Sequence, residues 1–147
     1  MHTIRLSYPW KLRTFDEYGD QSQAEAVRLK SSDSLVEFWN SSIPSLGGDN
    51  RVIALERSFN QPTGIENEHV YIELPDCAKY LDLSLNGQTI EVVDSQNELQ
   101  PLTEKLNQHN KFVVCLKLDT SNEKVFEAVR SICESTRLLI ETRHQKR

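Results

Sequence analysis

Residues 70–93 read VYIELPDCAKYLDLSLNGQTIEVV, and this stretch decides the fold class. Apolar side chains occupy every second position on both sides of a break at Pro75. The alternating residues are Val70, Ile72, Leu74, Leu81, Leu83 and Leu85. A period of two places one set of side chains on a single face of a β-strand. The stretch therefore predicts two strands, each with one buried face.

The dipeptide Asn86-Gly87 separates the second of these strands from residues 88–93. A two-residue type I′ turn needs positive φ at both central positions, and Asn-Gly tolerates that conformation best. We therefore predict a tight β-hairpin centred on this dipeptide.

The same alternation continues on both sides of this stretch. It returns at residues 52–55 with Phe59, at Phe112, Val114, Leu116 and Leu118, and at 138–142, and more weakly at Ile4, Leu6, Val27 and Leu29. Seven or eight short strands with frequent turns predict an all-β sandwich. We expect the two sheets to enclose Phe59, Ile72, Leu83, Val114 and Leu116.

Two segments depart from the β pattern. Residues 32–39 follow Ser and Asp residues and favour a short helical turn. Thr120 and Glu123 have the spacing of a capping box, and the apolar residues that follow to position 133 have helical spacing, which predicts a second brief helix. Residues 15–25 have no periodicity, and we expect an exposed loop there.

Composition limits the classes of protein and of partner. The 147 residues fit one domain, 1–147. A net charge of −5 argues against nucleic acid as a binding partner.

No apolar run is long enough for a membrane span, and the first ten residues, MHTIRLSYPW, do not resemble a secretory signal, so we expect a cytoplasmic location. Cys77, Cys115 and Cys133 lack metal or disulfide spacing and are interpreted as buried thiols.

Catalytic and metal chemistry has little support in the sequence. His2, His69, His109 and His144 are scattered, so no zinc spacing emerges, and we expect neither a metal nor a cofactor. Glu66 and Glu68 beside His69 are the only local acid–base cluster, and charged residues in a turn are ordinarily solvated. We therefore expect that the chain is not an enzyme.

Three segments stand in an order that resembles the sugar-binding domain of glycoside hydrolase family two, such as that of β-galactosidase and β-glucuronidase. They are IALERSFNQPT at 53–63, VYIELPDCAKYLDLSLNG at 70–87 and ELQPLTEKLNQHNKFVVCLKL at 98–118. In that family an aromatic-x-Arg-x-Phe strand precedes a strand that ends in Asn-Gly. Here Leu55 stands at the aromatic position before Arg57 and Phe59, and Leu102 with Thr103 loosely matches the family's D-x-T-x-x-L segment.

The resemblance implies a galactose-binding-like jelly-roll β-sandwich. It also argues against hydrolysis, because in those enzymes the catalytic carboxylates lie on a separate barrel for which this chain has no room. Related jelly rolls sometimes hold a structural calcium ion, to which Asp76 or Asp94 could contribute oxygen ligands, although lone acidic residues in turns are usually solvated.

The candidate ligand-binding residues are Arg57, Trp10 and Trp39. A mid-strand arginine either pairs with a carboxylate on the sheet or presents its planar fork to a hydroxyl-rich ligand, and pairing is the commoner use. The two indoles either stack on a sugar ring or fill the core.

Two functions remain open at this stage. The first is a non-catalytic binding module whose ligand, by resemblance, is a carbohydrate. The second is an interaction protein that uses a sandwich face or edge to form a homo-oligomer or to dock on a partner enzyme.

Overall fold

The computed structural model describes residues 2–16, 25–43, 51–64, 68–78, 81–90, 99–102, 105–118 and 122–142. The expectations for Glu66, Asp94 and His144 lie outside these residues, as does most of the loop expected at 15–25. The described residues form ten β-strands and two α-helices.

In chain order, the strands are β1 His2–Arg5, β2 Trp10–Asp16, β3 Ala26–Leu29, β4 Arg51–Asn60, β5 Glu68–Glu73, β6 Asp82–Leu85, β7 Gln88–Ile90, β8 Leu99–Pro101, β9 His109–Lys117 and β10 Arg137–Thr142. Helix α1 is Ser32–Ser42 and helix α2 is Asn122–Ser135. A short 3₁₀ turn, Asp76–Ala78, follows β5.

The strands form two antiparallel sheets. One sheet has six strands in the order β3-β2-β4-β9-β6-β7, and the other has four in the order β1-β10-β5-β8. Inward-facing side chains of both sheets belong to one buried cluster, which includes Leu55 and Val114 from the larger sheet and Ile72 and Leu138 from the smaller. The protein is an all-β sandwich, as the alternating pattern predicts.

The core prediction is confirmed for four of its five residues. Ile72, Leu83, Val114 and Leu116 are buried, and Phe59 is partly buried and packs against the cluster. Phe59 lies next to the end of β4, where the sandwich opens towards solvent.

The predicted hairpin is present between β6 and β7. Leu85 pairs with Gln88, so Asn86 and Gly87 are the two residues of the turn. Their φ angles are 54° and 81°, both in the left-handed region that a type I′ turn requires. If a Cβ were added at Gly87, no atom of the described residues would lie within 4 Å of it. The positive φ angle of the backbone, rather than side-chain packing, therefore favours glycine at this position.

Both helices are longer than the short turns predicted from sequence. Helix α1 has 11 residues and begins after Ser31, whose side chain accepts a hydrogen bond from the Ser34 N–H. Helix α2 has 14 residues, and it buries Val125, Val129, Ile132 and Cys133 in the common core. Tertiary burial of one apolar face stabilises helices beyond their intrinsic propensity, which explains the extra turns.

Two strands, β2 and β8, were not predicted. Phe15 and Asp16, assigned to a loop from sequence, instead end β2, which lies between β3 and β4 in the larger sheet.

Neither helix is long and apolar enough to cross a membrane, a finding that covers the described residues.

Candidate functional site

Arg57 lies near the end of β4 and is half-buried. Its Nε donates a 2.8 Å hydrogen bond to the carbonyl of Ser7, which precedes β2, and its Nη1 donates to the Ser58 carbonyl. Both partners are backbone carbonyls, and among the described residues no carboxylate forms an ion pair with Arg57, so the structure does not show the carboxylate pairing that was one of the two alternatives. Burial lowers the pKa of the Arg57 guanidinium, which still remains charged at neutral pH.

A cleft of about 640 Å³ opens beside this arginine, and we call it the Arg57 cleft. Its walls come from β1, the last residues of β4, the β6–β7 turn and the first residues of β9. The lining residues are Ile4, Arg5, Leu6, Arg57, Ser58, Phe59, Asn60, Asn86, His109, Asn110 and Lys111. They include three cations and no carboxylate. The cleft is thus a positively charged site at one end of the sandwich.

The rim of the Arg57 cleft carries a paired amide and imidazole. Asn60 and His109 pair across β4 and β9, and His109 Nδ1 lies 2.8 Å from Asn60 Oδ1. Because an amide oxygen only accepts, Nδ1 is the donor, which leaves Nε2 of the neutral imidazole as an acceptor. Both side chains are exposed. The pair therefore offers the Asn60 NH₂ group as donor and His109 Nε2 as acceptor, a combination that suits hydroxyl groups.

The floor of the cleft is rigid. Asn110 is 3% exposed, and its side-chain amide donates to the carbonyls of Phe59 and Asn107 while its Oδ1 accepts from the Asn107 N–H and from Asn86. All of its hydrogen-bonding groups have partners, so its role is structural. It holds the rim residues in place rather than binding a ligand.

Neither predicted indole presents a face to solvent. Trp10 is 0% exposed, its Nε1 donates to the Leu6 carbonyl at 2.9 Å, and its ring contacts Phe112 edge-on. Trp39 is buried on α1 and packs edge-on against Phe126 of α2. The structure therefore places both rings in the core, the alternative to sugar stacking.

The remaining residues considered from sequence do not converge. Glu68 and His69 are adjacent on β5 in the smaller sheet, and the exposed His69 ring lies 6.1 Å from that of Tyr71. Asp76 is exposed in the 3₁₀ turn. Within the described ranges, His, Cys, Asp and Glu side chains form no group of three or more that could hold a metal ion.

A second cleft of about 630 Å³ lies at the opposite end of the strands, between the outer face of the six-stranded sheet and α2. Phe15, Val52, Leu81 and Val125 give it an apolar lining, and Cys77 and Cys115 also face it. The interpretation as buried thiols is therefore wrong for Cys77, which is exposed in the 3₁₀ turn after β5, and Cys115 is only partly buried. Burial raises the pKa of both thiols. These cysteines are therefore poor nucleophiles at neutral pH.

Sequence reasoning identified Arg57 but missed the residues around it. Asn60, Asn86, His109 and Asn110 are separated by up to 50 positions and meet only because β4 pairs with β9 and β9 with β6. The one local signal was the Asn-Gly turn, since it predicts that Asn86 lies at an end of the sandwich.

The chain matches no protein-family model. A comparison with curated proteins also gives no match in sequence. Among solved structures, the crystal structure of a β-glycosidase from Bacteroides vulgatus is similar, with a TM-score of 0.54 and 15% sequence identity. The similarity covers 95% of this chain and 20% of that protein. At this identity the likeness shows the fold alone, and this chain spans about a fifth of the glycosidase's length.

Proposed function

We propose that this protein is a non-catalytic, galactose-binding-like jelly-roll module that binds carbohydrate in the Arg57 cleft. The observation that carries the proposal is the convergence of Arg57 with the Asn60–His109 pair beside the partly buried ring of Phe59. Sugars present hydroxyl groups at their edges and apolar C–H faces, and sites for them combine fixed polar groups with an aromatic surface.

The size and rigidity of the cleft support this proposal. About 640 Å³ lies within the range of small-molecule sites. The satisfied Asn110 network fixes the rim, so a ligand does not have to order it. The similar region is about a fifth of a β-glycosidase. This similarity supports carbohydrate as the ligand class and a non-catalytic, accessory role for a domain of this fold.

The absence of carboxylates from the lining supports a non-catalytic role. Glycoside hydrolysis ordinarily uses two carboxyl groups that flank the scissile bond. None of the described residues that line the Arg57 cleft is Asp or Glu. We expect it to bind sugar without cleaving it.

A titration with neutral mono- and oligosaccharides, followed by ¹H–¹⁵N NMR, tests the proposal. We expect weak binding, with Kd on the order of 1 mM, or about −4 kcal/mol, because an open cleft buries few sugar atoms. Chemical shifts should change at Asn60, His109 and the Arg57 side chain.

Matched histidine variants provide the control. His109→Ala should weaken binding severalfold, whereas His69→Ala, an exposed histidine on the smaller sheet, should leave it unchanged. If no sugar of the panel shifts the cleft resonances at high concentration, or if both variants behave alike, carbohydrate binding in this cleft is wrong.

A second candidate function is docking on a partner enzyme or on a second copy of this chain. The apolar cleft beside α2 favours it, because it presents Phe15 and Leu81 together with edges of Val52 and Val125. Light scattering coupled to size exclusion tests self-association. A monomer whose mass does not change with concentration would remove the second copy as occupant.

A further inference from the structure

The outer face of the six-stranded sheet has a concentration of cations in an otherwise acidic protein. Lys11 of β2 pairs in register with Arg28 of β3, so two like charges stand directly opposite each other. Both side chains are exposed, and neither makes an ion pair with another described residue. Directly opposed like charges destabilise a sheet. This arrangement therefore calls for a reason other than stability.

Glu56 is the carboxylate that lies beside Lys11 on the neighbouring strand, and it forms its ion pairs with other cations. Glu56 pairs in register with Lys11, and its side chain is only 9% exposed. Its Oε1 lies 3.4 Å from Lys111 Nζ and 3.9 Å from Arg13 Nη1. The single carboxylate of Glu56 is thus already shared by the cations of Arg13 and Lys111. With Lys11 and Arg28 added, positive charges outnumber negative ones around Glu56.

A small pocket of about 250 Å³ lies among these charges, and we call it the cationic pocket. It is lined by Pro9, Trp10, Lys11, Arg28, Glu56, Arg57 and Ser58. Arg57 and Ser58 also line the Arg57 cleft, so the two cavities adjoin. Arg28 and Arg57 carry the planar donor groups that bind carboxylate and sulfate oxygens, and Lys11 adds a third positive charge.

We propose that the ligand of this module is an acidic oligosaccharide, with a sugar ring in the Arg57 cleft and a carboxylate or sulfate group in the cationic pocket. This inference rests on the carbohydrate-binding function proposed above and specifies its ligand class. The adjoining cavities fit a ligand of that kind, since a sugar unit and its charged neighbour lie side by side along a chain.

The composition of this face favours a saccharide over other polyanions. Protein interfaces depend on apolar and aromatic anchors, and the described lining of the cationic pocket is polar or charged apart from Pro9 and the fully buried Trp10. A net charge of −5 opposes the approach of a long nucleic acid more than that of a short acidic oligosaccharide, whose few charges contact only the local cations.

Calorimetric titration with an oligogalacturonate and its methyl ester tests the inference, because the two ligands share one skeleton and differ in charge. The acid should bind at least about tenfold more tightly than the ester, since a charge-assisted contact is worth more than a neutral one. This advantage should shrink as salt is added.

Charge-removing variants locate the anionic group. The double variant Lys11→Gln/Arg28→Gln should lower the affinity for the acid to about that for the ester, and its effect on the affinity for the ester should be much smaller. Lys124→Gln, which removes an exposed cation at the opposite end of the sandwich, should change neither.

The outcomes separate the two proposals. Equal affinity for acid and ester, both weakened by His109→Ala, would overturn the acidic ligand and support carbohydrate binding. Binding of a glutamate hexapeptide or of an RNA hexanucleotide as tightly as the acid, insensitive to His109→Ala, would overturn both proposals. Failure of acid and ester to bind at any salt concentration would overturn the acidic ligand, and the titration with neutral sugars then decides the carbohydrate-binding function separately.

Discussion

The side-chain amide of Asn86 donates a hydrogen bond to Oδ1 of Asn110, 3.0 Å away, and so ties the β6–β7 turn to β9. The backbone strengthens the connection, because the Asn86 N–H donates to the Lys111 carbonyl and the Lys111 N–H donates to Asn86 Oδ1, each at 2.9 Å. Asn110 in turn bonds to the Phe59 carbonyl of β4. Two asparagines thus join three parts of the larger sheet beneath the Arg57 cleft.

We expect Asn110→Ala to destabilise the protein by about 1–3 kcal/mol, because it removes a buried amide and leaves its backbone partners without their hydrogen bonds. Urea denaturation measures the change. Asn60→Ala is the control, since Asn60 is exposed and only one hydrogen bond, to His109, joins its side chain to the described residues. Equal stability of the two variants would contradict a structural role for Asn110.

Gly87→Val should lower the free energy of unfolding by about 1–2 kcal/mol or more, because φ at this position is 81° and a β-branched residue is strained there. No atom of the described residues lies within 4 Å of a Cβ at Gly87, so the loss reports backbone strain rather than a clash. Gly87→Asn should cost much less, since asparagine tolerates this region. Thermal unfolding of both variants gives the comparison, and a Val variant as stable as the Asn variant would contradict it.

The sequence was informative where one strand alone carried the pattern. Alternation located β5, β6 and β9 because each buries one face, and Asn86-Gly87 located the β6–β7 turn because its φ requirement is local. Strand β2 was missed. Its Lys11 and Arg13 face outwards and alternate with the buried Trp10 and Leu12, but the apolar Phe15 also faces outwards, which ends the alternation early.

The candidate site was largely beyond the reach of the sequence. Arg57 stood out as a charge among apolar neighbours, but its partner Ser7 lies 50 positions earlier in the chain. The opposition of Lys11 and Arg28 depends on the register between β2 and β3. A shift of register by one residue would place other side chains opposite each other, and only long-range packing selects the register.

The three thiols should react in order of exposure, with Cys77 first and Cys133 last. Burial raises the pKa of Cys77, and the neighbouring Asp76 carboxylate raises it further. Since the thiolate is the reactive form, a raised pKa means less thiolate at pH 8, and labelling of Cys77 should be slower there than that of free glutathione. Its rate should continue to rise with pH beyond 9.

Mass spectrometry after timed labelling with a disulfide reagent measures the rate at each site. Cys133 is buried in the core on α2, where burial raises its pKa strongly, so it should stay unlabelled until the protein unfolds. Cys77→Ser is the control that removes the fast phase. Labelling of Cys133 before Cys77 in native protein would contradict the packing of α2 against the sandwich.

Glu56→Gln should strengthen binding of an acidic oligosaccharide, because Glu56 is the one carboxylate among the described residues that line the cationic pocket. Loss of its charge also frees Arg13 and Lys111 from their shared partner. We expect a severalfold gain in affinity at low salt that disappears at high salt, where the field of the pocket is screened. Calorimetry of the folded variant measures it, and unchanged affinity at low salt would contradict a role of the pocket in binding.

Finally, the chain should not hydrolyse glycosides. Hydrolysis needs two carboxyl groups on either side of the glycosidic bond, about 5–10 Å apart, one of them positioned as an acid. Among the described residues, the Arg57 cleft has no carboxylate and the cationic pocket has Glu56 alone, which is already held by two cations. Incubation with nitrophenyl glycosides of several sugars should therefore release nitrophenol no faster than buffer does.

The Glu68→Gln variant tests the acidic residue from the cluster seen in the sequence, and it should match the parent protein. Turnover by the parent that this variant loses would overturn the non-catalytic function and move the active site to β5.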